Sequence, residues 1–161
     1  FFVYGWVILA GCISHFVLIY LDKPEWIQAN WMVVPIASII LGLVTGSRNS
    51  NLSNVSISEL LLKNVWGVVG MVMVYLCLIA PQMGFIPHGI VLPLALILMF
   101  TLVLITGITI KHSWTIVLSS LWFFGSVAAS MSSPEYHVHI LMLVVLFGNL
   151  LPSYLIRVKF K

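Results

Sequence analysis

The chain opens with the 21-residue run Phe1–Leu21, which contains no Lys, Arg, Asp or Glu. About 20 apolar residues of α-helix, rising about 1.5 Å each, are enough to cross a hydrocarbon core of roughly 30 Å. A buried helix of a soluble protein seldom needs so long an uncharged run. The segment therefore predicts a transmembrane helix, with one ionisable residue, His15, inside it.

The composition extends this prediction to the whole chain. Of the 161 residues, 61% are hydrophobic and only 7% are charged, whereas soluble domains carry about 25% charged residues. So few charges cannot cover the surface of a soluble fold of this size. We therefore predict an all-α, polytopic transmembrane helix bundle that forms a single domain.

Six apolar runs predict six spans, and prolines or polar turns separate them. The predicted spans cover about residues 1–21, 26–45, 57–80, 89–110, 114–131 and 134–156. Ser56 and Glu59 form a capping box that predicts a helix start at Ile57. Ser113 follows a short turn and is expected to cap the fifth span.

Lys and Arg residues predict the orientation. Six of the seven fall on one side of the predicted bundle, namely Arg48, Lys63, Lys111, Arg157, Lys159 and Lys161, with Lys23 alone on the other. By the positive-inside rule, both termini are expected in the cytoplasm. Because the first residue is Phe, we expect the native N terminus to precede it, and the length of the first run argues against a cleaved signal peptide.

With that orientation, carboxylates and histidines concentrate at the outer face. The candidate residues for a ligand or ion are His15, Asp22, His88, Glu135 and His139. His15 lies within a span, where an ionisable side chain is costly and by default faces the bundle interior. We predict that its ring points toward His88 or toward the face that carries Glu135 and His139. The alternative is a neutral histidine that is hydrogen-bonded to a neighbouring helix.

The histidines of the sequence are compatible with two kinds of cofactor. A zinc or copper site would need ligands from several segments, such as His15, His88 and His139. His137 and His139 would project in different directions from one helix and could not share an ion. Haem b held by two histidines is the other possibility. No cofactor is required by the sequence, and none is predicted.

Enzyme signatures are absent from the sequence. There is no HExxH, GxSxG or phosphate-binding loop, and the cysteines, Cys12 and Cys77, lie inside apolar runs without a CxxC. Both cysteines are expected to be small apolar core residues. We therefore expect a non-enzymatic protein.

Small residues mark two helix faces that are expected to pack closely against other helices. These residues are Ser38, Gly42 and Gly46 in the second span and Ser119, Ser126 and Ser130 in the fifth. The partners expected are the lipid bilayer and, through these faces, other membrane subunits or a second copy. Nucleic acid is not expected, because the basic tail after Ile156 is too short to be more than a topology anchor.

Four short sequence segments resemble those of a family of small six-helix bacterial membrane proteins. They are Tyr4-Gly5-Trp6-Val7, Trp31-Met32-Val33-Val34-Pro35, Thr106-Gly107 and Leu150-Leu151-Pro152-Ser153-Tyr154-Leu155. The chain departs from the family pattern at Ser119-Ser120, where paired glycines are expected. The resemblance implies a bacterial inner membrane and no particular activity.

Three functions follow from these patterns as hypotheses. The first is a protein that binds a small ligand or ion from the outer side, as a transporter component or a sensor. The second is a structural or accessory subunit of a larger membrane complex. The third is a redox protein that binds haem or a metal.

Overall fold

The fold is helical throughout the part of the chain that the computed structural model describes, residues 2–48, 57–151 and 154. The elements in chain order are α1 (Phe2–Tyr20), α2 (Glu25–Arg48), α3 (Ile57–Val74), a π-helical stretch (Tyr75–Ile79), α4 (Ala80–Gln82), α5 (His88–Thr109), α6 (Ser113–Met131), a 3₁₀ turn (Pro134–Tyr136), α7 (His137–Val145) and a second π-helical stretch (Leu146–Leu150). The first π-helical stretch joins α3 to α4 and the second extends α7, so the described chain forms six helical rods.

Three of these rods are long and apolar enough to cross a bilayer: Leu60–Gln82, His88–Thr109 and Ser113–Met131. Gly5–Tyr20 is a shorter apolar helix. The prediction of an all-helical protein with membrane-spanning helices is confirmed to that extent.

The helix boundaries lie close to the predicted ones. α3 begins at Ile57, the position that the capping box predicts. Ser56 and the Glu59 side chain, which would form the box, lie outside the described residues. α2 is longer than predicted and ends at Arg48. The end of the predicted sixth span and the basic tail after it lie outside the described residues.

Within the described residues, three helices end with the same backbone motif, in which the second residue beyond the helix has a positive φ. These residues are Asp22 (φ 54°), Gly84 (φ 72°) and Lys111 (φ 52°). In each case the next amide donates to the carbonyl five residues earlier, as Lys23 does to Leu18 at 2.9 Å. This Schellman geometry satisfies carbonyls that the helix end leaves open. Glycine adopts the required φ without steric cost, whereas other residues do not.

The start of α6 corrects one prediction. Ser113 does not cap the helix, because it is the first helical residue and His112 occupies the cap position. The His112 Nδ1 atom accepts a hydrogen bond from the Thr115 amide at 3.3 Å and lies 2.8 Å from Thr115 Oγ1. The physical reason is the turn at Lys111, whose closing hydrogen bond comes from the His112 amide and places that residue at the helix entrance.

Contacts between the helices place them in the order α2, α1, α7, α6, α5 and α3, and the contact between α5 and α6 is the most extensive. The core residues are Leu9, Leu96, Val103, Trp122, Ala129, Val144, Val145 and Leu150. Cys12 is also buried, as predicted, but Cys77 is exposed and is not a core residue, because α3 and its continuation lie at the edge of the helix array. Among the described side chains, α2 buries none, and the rod from α3 to α4 buries only Ala80 and Pro81.

Each π-helical stretch ends two residues before a proline, Pro81 in one case and Pro152 in the other. Proline has no N–H, and its ring collides with the carbonyl four residues earlier, which favours a local widening of the helix. For Pro152, which itself lies outside the described residues, that earlier residue is Gly148. The Gly148 carbonyl accepts a hydrogen bond from Trp122 Nε1 at 3.2 Å. A Cβ at position 148 would lie 2.8 Å from this nitrogen, so glycine permits the contact.

Candidate functional site

The contact between α1 and α2 is built from polar groups at a close approach of the two helices. Gly11 permits the approach, because a Cβ there would lie 2.5 Å from Val34 Cγ2. Asn30 Nδ2 donates to the Gly11 carbonyl at 3.0 Å, and the Ser14 hydroxyl lies within hydrogen-bond distance of that carbonyl and of Asn30 Oδ1. Such groups need protein partners in an apolar environment, so these bonds orient α2 against one face of α1.

One turn further along the same contact, Trp31 of α2 fixes the ring of His15 in α1. The Trp31 Nε1–H donates to His15 Nδ1 at 3.1 Å. An indole nitrogen can only donate, so the His15 Nδ1 atom must be an acceptor without a proton. The imidazole is therefore neutral and carries its proton on Nε2. The Trp31 side chain thus sets both the charge and the tautomer of His15.

Aromatic rings connect His15 to a second histidine, His139 of α7. The His15 ring meets Phe16 edge-on with centroids 5.9 Å apart, and Phe16 in turn lies 4.7 Å from His139. Tyr136 lies 6.3 Å from His139, and Trp31 lies 5.9 Å from His15. We call these five residues the histidine–aromatic cluster. It joins α1, α2, the 3₁₀ turn and α7.

The cluster lies at the end of the bundle where α1 ends and α7 begins. His15 is five residues from the end of α1, or about 7.5 Å along the helix axis. His15 is partly exposed and His139 is exposed. The arrangement therefore offers imidazole nitrogens and ring edges to a molecule at this end of the bundle.

The other three candidate residues are exposed and are not members of the cluster. Asp22 forms the terminal turn of α1, His88 begins α5, and Glu135 lies in the 3₁₀ turn before α7. Within the described residues, no hydrogen bond, ion pair or ring contact joins any of them to His15 or His139. The predicted role of these three positions in ligand binding stays a prediction.

The ligand set His15, His88 and His139 suggested for zinc or copper is not assembled. Among the described residues, no three His, Cys, Asp or Glu side chains come close enough to hold a metal ion together. The physical reason is that α1 packs mainly against α2 and α7 and has no extensive contact with α5, whose start lies beside Pro134 of the 3₁₀ turn. The haem b hypothesis stays a prediction, which an absorption spectrum of the purified protein tests.

His137 differs from its neighbour His139 despite a separation of only two residues. His137 is buried, and its Nε2 atom lies 3.0 Å from the Ala129 carbonyl of α6. It therefore fastens the start of α7 to the end of α6, while His139 faces Phe16. The two rings point in different directions, as their spacing predicts.

Asn30 and Trp31 are the site residues that sequence reasoning missed. A usable signal was present, because α1 and α2 form an antiparallel hairpin about the turn at Asp22. Residues equally distant from such a turn lie at the same level of the hairpin, as Ser14 and Asn30 do, and His15 and Trp31 are the next residues along their helices. An aromatic residue near the end of a span is typical of the membrane interface, so Trp31 did not stand out as a site residue.

The six predicted packing residues have different environments. Ser119 and Ser126 are buried, and Ser126 Oγ donates across the helix contact to the Pro93 carbonyl of α5 at 2.8 Å. Ser130 is exposed and bonds to its own helix, as the partly exposed Ser38 does. The surroundings of Gly42 and Gly46 lie outside the described part of the structure.

Comparison with known proteins gives no further guide to the site. No protein-family model, no curated protein and no solved structure matches this chain.

Proposed function

We propose that this chain is a multi-pass membrane protein with six spans and both termini in the cytoplasm. We further propose that the histidine–aromatic cluster binds a small ligand or ion from the outer side, as part of a transporter or sensor. The main support for this proposal is that His15 and His139, from two different helices, both lie against Phe16 at one end of the bundle.

The distribution of charges and contacts supports this orientation. Trp66 Nε1 in the middle of α3 donates to Thr106 Oγ1 near the end of α5 at 3.2 Å. Because the chain reverses between Gln82 and His88, the start of α3 lies at the end of the bundle where α5 ends. The basic residues Lys63 and Lys111 therefore belong to one end of the bundle, and the cluster belongs to the other. The positive-inside rule assigns the basic end to the cytoplasm.

The chemistry of His15 supports a binding role. A polar ring within a membrane helix needs partners for its nitrogens. Trp31 satisfies Nδ1, and the Nε2–H is left to donate to a further group. The partial exposure of His15 and the exposure of His139 keep this end of the cluster accessible to a small molecule.

Reporter fusions test the topology. Fusions after Asn54 and after Lys161 should both report the cytoplasm, and a fusion after Gly84 should report the outside. An external signal after Asn54 or Lys161 would contradict the proposed orientation and the outer position of the cluster.

A stability screen tests the binding role. The purified protein and the variants His15→Phe and His139→Phe are heated in detergent with a panel of metal ions, amines and carbonyl compounds. A compound that raises the melting temperature of the native chain, but of neither variant, supports the proposal. If every compound affects the three proteins equally, the cluster is not a binding site.

A second candidate function, an accessory subunit, is favoured by the exposure of α3. Val68 and Met71 of α3 and Tyr75 of the π-helical stretch that follows it are exposed, and a Cβ added at Gly67 or Gly70 would meet nothing within 4 Å. This helix could pack against another membrane protein. Native mass spectrometry of protein released gently from membranes distinguishes the two, because only an accessory subunit is expected with a stoichiometric partner.

A further inference from the structure

We propose that the histidine–aromatic cluster takes an uncharged, carbonyl-bearing aromatic ligand from the lipid phase, of the quinone class, with the His15 Nε2–H donating to a ligand carbonyl. This inference rests on the proposed function, because it names the ligand class of the same cluster. Three observations support it: the position of the proton on the His15 ring, the charges of the surrounding side chains, and the aromatic rings next to His15.

Trp31 determines which nitrogen of His15 is the hydrogen-bond donor and which is the acceptor. Because the indole donates to Nδ1 at 3.1 Å, the imidazole proton resides on Nε2. The free edge of His15 is therefore a hydrogen-bond donor. Its complement on a ligand is an acceptor oxygen.

The same bond argues against a metal ion at His15. A metal-binding histidine coordinates through one nitrogen and donates a hydrogen bond from the other. His15 has the reverse arrangement, because Trp31 donates to the nitrogen that would have to be the donor. Coordination through Nε2 would first require the bond to Trp31 to break and the proton to move.

The charges at this end of the bundle argue against an anionic ligand. The exposed carboxylates are Asp22, Glu25 and Glu135, and Lys23 is the one described cation beside them. An anion would meet net negative charge at the rim and no cationic partner at His15, since the ring is neutral. An uncharged acceptor avoids both costs.

The rings around His15 favour a flat aromatic ligand. Phe16, Trp31 and Tyr136 are tilted by about 50° to 90° to the histidine rings they contact, an arrangement that leaves ring faces and edges for further offset or edge-on contacts. His15 lies about 7.5 Å inside the end of α1, at the depth where an amphipathic ring compound resides in a bilayer. A lipid-soluble quinone combines this depth, a flat ring and uncharged carbonyl acceptors.

Binding of decylubiquinone to the protein in lipid nanodiscs tests the proposal. The native chain should bind it saturably, and infrared difference spectra should show one carbonyl stretch shifted to lower wavenumber by hydrogen bonding. His15→Phe should remove this shift and weaken binding about fivefold to tenfold, the equivalent of one hydrogen bond. Trp31→Phe should weaken the shift without removing it, because both tautomers of His15 then become available.

His112→Asn is the control, since it removes a histidine at the opposite end of the bundle and asparagine is also a good helix cap. It should bind like the native chain. If His15→Phe and His112→Asn bind equally well and keep the carbonyl shift, the assignment to His15 is overturned. If an anionic phospholipid displaces the quinone competitively, the cluster is a lipid-headgroup site and the proposed ligand class is wrong.

The experiments distinguish a wrong ligand class from the absence of any binding role for the cluster. If decylubiquinone shows only non-saturable partition while another compound stabilises the native chain and neither histidine variant, the ligand class is wrong and the binding role stands. If no compound distinguishes the native chain from both variants, the binding role fails and the ligand class fails with it.

Discussion

Two antiparallel helix pairs of this protein, α5 with α6 and α1 with α2, are held together by different chemistry. Between α5 and α6 the contact is close, and the polar side chains bond to backbone carbonyls, as Ser126 does to Pro93. Between α1 and α2 the bonds include contacts from side chain to side chain, Ser14 to Asn30 and Trp31 to His15. The first pair uses its polar groups within the fold, and the second leaves a donor, His15 Nε2–H, at the surface.

This difference indicates that the α5–α6 pair mainly stabilises the fold, whereas the α1–α2 pair leaves a polar group available to bind another molecule. The α5–α6 pair belongs to the core through Leu96, Val103 and Trp122, which are almost fully buried. The α1–α2 pair lies toward the edge of the helix array, where α2 buries no described side chain. Substitutions in the first pair should therefore change the free energy of unfolding more than substitutions in the second.

The largest expected effect is that of Gly107→Ala in α5. A Cβ there would lie 3.0 Å from the Ile116 backbone nitrogen and 2.9 Å from its Cγ1, and a backbone atom cannot move aside. We expect a loss of about 3 kcal/mol of unfolding free energy, measured by reversible denaturation in mixed micelles.

Gly11→Ala and Gly70→Ala are the matched controls for this prediction. The Val34 side chain that a Cβ at Gly11 would meet is β-branched and rotates poorly in a helix, but it belongs to α2, which lies at the edge of the helix array and can shift as a whole. Gly70 has open space around it. We expect Gly11→Ala to cost less than Gly107→Ala. Gly70→Ala should be neutral or stabilising by up to about 1 kcal/mol. Equal losses at positions 107 and 11 would contradict the distinction between the two pairs.

The next effect in size is that of Trp122→Phe in α6. The substitution removes the donor to the buried Gly148 carbonyl, at a cost of about 2 kcal/mol. Trp31→Phe removes the corresponding indole donor at the partly exposed α1–α2 contact and should cost only about 0.6 kcal/mol, the average for a hydrogen bond between membrane helices. The same denaturation measurement compares them, and a larger loss for Trp31→Phe would reverse our ranking of the two contacts.

The smallest effects are gains at the turns that close the two helix pairs. Lys111 and Asp22 both adopt positive φ, at 52° and 54°, where glycine has no steric cost. Lys111→Gly should stabilise the protein by about 1 kcal/mol, whereas Lys111→Ala should give no gain. Asp22→Gly should gain less, because aspartate tolerates this conformation better than lysine does. Destabilisation by Lys111→Gly in thermal unfolding would show that the lysine side chain makes a contact that outweighs the strain.

The course of the helices was predictable from sequence because it depends on local properties. Apolar runs interrupted by Pro24, Pro81 and Pro134 determine where each rod begins and ends, and the capping box marks Ile57. The cap of α6 was mispredicted because the turn at Lys111 shifts the cap position to His112. The π-helical stretches were not predicted, although the proline that follows each of them was visible in the sequence.

The site was predictable only in part because it depends on which helices become neighbours. His15 and His139 were both named as candidates, and the fold brings them close to the same phenylalanine, Phe16. His88 was grouped with them because it lies near the same end, but α5 has no extensive contact with α1, and its start lies beside Pro134 instead. The bond from Trp31 that decides the tautomer of His15 requires the relative rotation of α1 and α2, which apolar patterns do not specify.

The central claim of this account, that Trp31 holds His15 neutral with its proton on Nε2, is tested most directly by nitrogen-15 NMR of histidine-labelled protein at neutral pH. The His15 signals are assigned by their absence in His15→Phe. We expect the pattern of the Nε2–H tautomer, with Nδ1 unprotonated, and a mixture of both tautomers in Trp31→Phe. An imidazolium, an Nδ1–H tautomer, or a His15 spectrum unchanged by Trp31→Phe would contradict the claim.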